Sequence, residues 1–151
     1  MPERDEALSD EATTAWVRLV RVSQSLLSAV ESDLKSKGFP PLSWYDALLE
    51  LRRAGTDGLR PFELQDVMLL AQYNLSRLTD RLWKAGYIER KPCKEDGRGQ
   101  ILIATLKGEK LLREMWPVYR SAIQGHFADN LGDENAKLLS GILGELIEPA
   151  A

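Results

Sequence analysis

Between Ala71 and Ala85 the chain reads AQYNLSRLTDRLWKA, and two kinds of residue segregate within it. At about 100 degrees per residue, Tyr73, Asn74, Arg77, Arg81 and Lys84 gather on one arc of a helix, contributing three cations, an amide and a phenol. An amide pairs its donor and acceptor with an adenine edge, and a guanidinium pairs two donors with a guanine edge, so this arc suits the major groove of duplex DNA. It equally suits the solvated face of an ordinary surface helix. On the first reading, Arg77, Tyr73 and Asn74 read bases, Gln72 either reaches a base or caps the helix start, and Ser76, Arg81 and Lys84 hold phosphates. Other chemistry is poorly supplied. Metal centres need clustered His, Cys or carboxylate ligands, and here His126 and Cys93 stand more than thirty residues apart. No catalytic acid or base groups with a nucleophile, so neither an enzyme, a metal site nor a cofactor is expected. Cys93, between Pro92 and Lys94, is the single candidate for redox chemistry.

The elements around this face must hold it in place. Ala71, Leu75, Leu78, Leu82 and Ala85 recur at spacings of four, three, four and three, which predicts one buried stripe on the opposite side of the same helix. Gly86 then fits a left-handed cap. Tyr87 to Pro92 and Ile101 to Leu106 read as extended, joined by Lys94-Glu95-Asp96-Gly97-Arg98-Gly99-Gln100, a hairpin signal with an Asp-Gly step at its turn. Upstream, Pro61 and Glu63 suit the first turn of a shorter helix containing Phe62, Leu64 and Val67, with Met68-Leu69-Leu70 as the turn into the next. Helix, helix and a hairpin tipped by Arg98 is the order of a winged helix-turn-helix. In that arrangement the wing arginine enters the narrow minor groove, with Lys94 and Gln100 nearby and Asp96 orienting Arg98 by an ion pair.

The runs Leu75-Ser76-Arg77-Leu78-Thr79-Asp80-Arg81-Leu82 and Ala85-Gly86-Tyr87-Ile88-Glu89-Arg90, the wing Asp96-Gly97-Arg98 and the segment Thr105-Leu106-Lys107-Gly108 together resemble the MarR family of transcriptional regulators. The resemblance covers nearly the whole chain. It implies an obligate homodimer with one winged helix-turn-helix per subunit, bound to a pseudo-palindromic double-stranded DNA operator and acting as a repressor. It also implies an effector pocket lined by the first, second and fifth helices, onto which Trp16, Trp44, Tyr45, Trp116 and Tyr119 map. That set equally suits ordinary core packing, aromatic side chains being common in cores. A small aromatic ligand held there would relieve repression. The chain departs from the family pattern at Arg60 and in the apolar turn after Val67, which leaves the start of the recognition helix open over two or three residues.

The rest of the chain fits this outline. Its 151 residues suit one domain, and 44% hydrophobic with 28% charged residues is a globular composition. Net charge is −3, yet residues 71–100 carry a local excess of three positive charges, a basic patch on an acidic body. The negative total keeps open a second reading, a winged-helix protein-interaction module without DNA binding. A single Cys, no long apolar run and a hydrophilic N-terminus predict a cytoplasmic protein with no membrane association. Residues 1–10 read as a flexible N-terminus and 11–151 as a single domain. Within it, 42–105 form the DNA-binding lobe, and 11–37 and 106–151 form helical dimerisation arms. Ser43 should cap a second helix reaching Ala54, and Thr105 a fifth helix running to about Phe127 with a kink near Pro117. The expected fold is mainly α with a small β-hairpin wing.

Overall fold

The computed structural model describes residues 7–93 and 99–147. They form α1 (Asp10–Ser36), α2 (Leu42–Ala54), a single 3-10 turn (Gly55–Asp57), α3 (Pro61–Val67) and α4 (Leu75–Lys84). Strands β1 (Ile88–Pro92) and β2 (Gln100–Ala104) follow, then α5 (Leu106–Ile123), a wide-turned stretch Gln124–Ala128, α6 (Asp129–Leu131) and α7 (Asp133–Ile147). The expected mainly helical fold with one hairpin is the fold observed. Two compact units divide the chain. One comprises residues 33–121, the other residues 1–32 and 122–151, so the boundaries fall inside α1 and α5 rather than at their ends.

The first unit holds the core. Leu34, Leu48, Leu51, Leu64, Leu82, Ile88, Leu102, Leu112 and Met115 are all almost completely buried there, and each such side chain contributes about 1.5–3 kcal/mol of burial. β1 and β2 pair antiparallel in register Ile88↔Ala104 through Pro92↔Gln100. Leu59 adds a short third rung, exchanging both backbone hydrogen bonds with Leu102 at 3.0 and 2.8 Å.

The junction where α4, β1 and α5 meet is closed by local chemistry. Gly86 adopts φ +84°, a conformation that glycine enters without a Cβ clash. This lets the N–H of Gly86 reach the Trp83 carbonyl and that of Tyr87 reach Leu82, both at 3.0 Å. Thr105 serves both sides of the junction: its hydroxyl donates to the Gly86 carbonyl at 2.7 Å and accepts from the N–H of Gly108 at 3.1 Å. Lys107 donates to the Ala85 carbonyl at 2.6 Å and lies over the Tyr87 ring, placing a cation at the negative end of α4. Position 108 has no room for a side chain, since a Cβ would strike the Tyr87 carbonyl.

Four expectations about element limits are corrected. The α2 start is Leu42 after Pro41, and it has no side-chain cap, so Ser43 sits inside the helix. Leu106 opens α5 instead of ending a strand, because Thr105 already caps that helix. α5 runs through Pro117 as expected but closes at Ile123 rather than near Phe127, where the wide-turned stretch Gln124–Ala128 takes over. The recognition helix begins at Leu75, so Ala71 to Asn74 precede it; Ala71 is exposed and leaves the buried stripe to Leu75, Leu78 and Leu82.

The second unit contains α7, none of whose described residues is buried. Leu138, Ile142, Leu146 and Ile147 are each at least 60% exposed, and Trp16, Val22 and Leu27 on α1 are also exposed.

Candidate nucleic-acid interface

α4 presents its polar residues as the sequence pattern requires. Leu75, Leu78, Thr79 and Leu82 are buried, while Ser76, Arg77, Arg81 and Lys84 are exposed. Tyr73 is fully exposed just ahead of the helix, and Gln72 is half-buried, its carbonyl within 3.5 Å of the Gln65 amide. Asn74 is engaged locally, because its side-chain oxygen accepts the N–H of Arg77 at 3.0 Å and caps α4. A bidentate adenine contact uses both ends of the amide, so in this position Asn74 would share its oxygen between the cap and a base. Gln100 is exposed at the start of β2. Lys94, Asp96 and Arg98 lie outside the described residues.

Three side chains on and beside α4 form an ion-pair set that sequence reasoning missed. Asp80 receives Lys84 at 3.1 Å and Arg90, from β1, at 3.3 Å. The Arg90 guanidinium also lies 4.9 Å above the Trp83 ring. Hydrogen bonding by Lys84, then the charges of Lys84 and Arg90, hold the Asp80 carboxyl below the ordinary carboxylate range. The set ties the wing's first strand to the recognition helix. Sequence offered a partial signal in the i,i+4 spacing of Asp80 and Lys84, whereas the Arg90 contact crosses elements and has no spacing rule. Cys93, at the end of β1, is 4% exposed, and the Arg60 guanidinium approaches its Sγ at 3.0 Å.

Within residues 33–121, Trp44 does not join the other three aromatic residues of the expected set. Tyr45, Trp116 and Tyr119 cluster, with ring centroids 5.2–6.4 Å apart. Trp44, one residue along α2, points about 100 degrees away and meets Tyr87 edge-on at 5.9 Å. Trp16 lies on α1 in the other unit and is 67% exposed. Beside the cluster is a cavity of about 260 Å3 lined by Tyr45, Asp46, Val67, Leu69, Leu70 and Tyr119, among others. Burial pushes both phenols above their ordinary pKa; for Tyr119 the neighbouring Asp46 adds to the shift, and for Tyr45 the charges of Arg52 and Arg53 oppose it.

Asp46 is the buried carboxylate of this region, 5% exposed on α2. It accepts the N–H groups of Leu69 and Leu70 at 3.0 and 2.7 Å, in the turn that leads into α4. Sequence reading passed over it because its partners lie more than twenty residues away. Among the described residues no His, Cys and carboxylate cluster could hold a metal ion, and no helix is long and apolar enough to cross a membrane.

Comparison with known proteins agrees with this architecture. The MarR family model matches residues 37–99, the segment from just after α1 to just before β2. The transcriptional repressor MprA of Escherichia coli is 30% identical over 128 residues, covering 80% of this chain and 72% of that protein. Among solved structures, Sco3205 of Streptomyces coelicolor, a MarR family transcriptional regulator crystallised in complex with DNA, is 28% identical with a TM-score of 0.82. That match covers 93% of this chain and 92% of Sco3205. AbsC from the same organism, also a MarR family regulator, is 26% identical with a TM-score of 0.78 and covers 93% and 95% of the two chains. With the helix order, the hairpin and the polar face of α4 already in view, these matches place the chain in the MarR family of transcriptional regulators.

Proposed function

We propose that the protein is a sequence-specific, double-stranded DNA-binding repressor that acts in the cytoplasm as a homodimer on a pseudo-palindromic operator. The observation that carries this reading is α4 itself, a helix buried through Leu75, Leu78 and Leu82 whose opposite side exposes Ser76, Arg77 and Arg81. In this reading two copies of α4 enter successive major grooves, about 34 Å apart. Arg77 and Tyr73 read base edges with Gln72 beside them, and Ser76, Arg81 and Lys84 hold phosphates. Arg98 enters the flanking minor groove, oriented by Asp96, with Lys94 and Gln100 near the backbone. Residues 42–105 act as the DNA-binding lobe. The exposed apolar faces of α1 and α7 supply the dimer arms.

A small aromatic ligand fits the same scheme as an effector. Its support is the Tyr45, Trp116 and Tyr119 cluster with the adjoining cavity. Such a ligand relieves repression only by binding the DNA-incompetent form more tightly. Selection of bound sequences from random duplex DNA, followed by titration of the winning sequence at several salt concentrations, tests the reading. A two-fold symmetric consensus bound with a steep salt dependence is expected. Failure to enrich any sequence would leave the winged helix as a protein-interaction module. Repeating the titration with aromatic acids tests the effector, with weakened binding expected.

A further inference from the structure

The connection from α3 to α4, Met68-Leu69-Leu70-Ala71-Gln72-Tyr73-Asn74, contains neither glycine nor proline. Met, Leu, Ala and Gln rank among the strongest helix formers, so the local sequence supplies no reason for α3 to end at Val67. Were the helix to continue, the N–H groups of Leu69 and Leu70 would bond to the carbonyls of Gln65 and Asp66, four residues back. The last such bond is instead that of Met68 to Leu64, at 3.1 Å. The next two donors go to the two oxygens of Asp46. Hydrogen bonds to a carboxylate are roughly twice as strong as those between neutral groups, and burying a carboxylate without such partners is costly. The side chain is held in place by its own helix, since Tyr45, Ala47 and Leu48 on either side of it are buried.

We propose that Asp46 is the positioning residue of the DNA interface: by capturing the Leu69 and Leu70 amides it stops α3 from propagating. It thereby fixes where α4 begins and how Tyr73, Ser76 and Arg77 are presented. Asp46 is too deeply buried to meet DNA itself and acts through the turn. The consequence for DNA rests on the function proposed above; the effect on the turn does not.

Amide hydrogen exchange on the full chain without DNA tests the second part alone. The Leu69 and Leu70 amides should be protected although Leu69 is 75% exposed, and Ala71 should exchange rapidly. Asp46→Ala should lower protection at both amides at least tenfold while the Leu48 and Leu112 amides keep theirs, and should weaken binding to the selected duplex at least tenfold. Asp46→Asn, which keeps one acceptor oxygen, should fall between Asp46→Ala and the native protein. Adding Ala71→Gly to Asp46→Ala should recover part of the lost affinity, because glycine opposes helix propagation; a carboxylate needed only for stability would gain nothing from it. The proposal is overturned if Leu69 and Leu70 exchange as fast as Ala71 in the native protein, if Asp46→Ala binds within twofold of it, or if Ala71→Gly restores no affinity. Should Asp46→Ala not fold, the native exchange pattern and Asp46→Asn decide the matter. If no duplex binds the native protein, the DNA reading fails while the exchange pattern still judges the turn.

Discussion

Arg77 and Lys84 occupy one exposed face but stand in different electrostatic company. Lys84 is paired with Asp80 at 3.1 Å, so any phosphate must compete with that carboxylate, whereas Arg77 belongs to the α4 turn that faces outward beside Tyr73. Arg77→Ala should cost about 1–3 kcal/mol of binding and flatten discrimination between cognate and scrambled duplexes. Lys84→Ala should weaken both alike and reduce the salt slope. Competitive titration at two ionic strengths distinguishes the two outcomes, and equal losses for Arg77→Ala on both duplexes would remove Arg77 from base reading. Asp80 offers a pH test. Its carboxyl is held low by Lys84 and Arg90, so the tie to the wing persists above the ordinary carboxylate range and is lost as pH falls through the lowered value. Carbon-detected NMR should find the Asp80 midpoint below that of a model peptide, and Lys84→Ala should move it back up.

The helix–wing junction and the α4 start are settled by single residues with large local effects. Asn74→Ala removes the cap on Arg77 N–H and should cost about 1 kcal/mol of stability, read as a lower denaturation midpoint, while Asn74→Asp should keep most of it. Gly86→Ala forces a side chain into the left-handed region and should cost about 1–2 kcal/mol. The contrast between elements explains how much could be read from the chain before its fold was seen. The Leu75, Leu78 and Leu82 stripe, the glycine after α4 and the paired strands are local patterns, and each appears where its periodicity or turn chemistry puts it. The first residue of α4 was not legible, since Ala71 and Gln72 favour helix on their own and the two amides before them bond to Asp46, far away in sequence. Similarly, Trp44 meets Tyr87 while neighbouring Tyr45 meets Trp116 and Tyr119, a divergence that mapping residues to helices does not express. The Asp80 and Arg90 contact depends on how β1 leaves Gly86, and no spacing in the sequence encodes it.

The two compact units differ in how they dispose of apolar surface. Residues 33–121 enclose a leucine-rich core, while α7 buries none of its described residues and leaves Leu138, Ile142, Leu146 and Ile147 exposed, an arrangement that suits association with a second copy. Replacing Ile142 and Leu146 together with Lys should convert the proposed dimer to a monomer in sedimentation velocity. The monomer should lose most operator affinity, since each half-site would then have to be bound separately. A monomeric native protein would remove the basis for a palindromic site. If α7 finds its cover only in another molecule, mass action enters the stability of the terminal helices. Their melting temperature should rise with protein concentration, whereas the 33–121 lobe should melt independently of dilution. Newly made copies would then reach full structure only above a threshold abundance, so that the amount of protein in the cell sets not just how often an operator is occupied but how many chains are competent to occupy it.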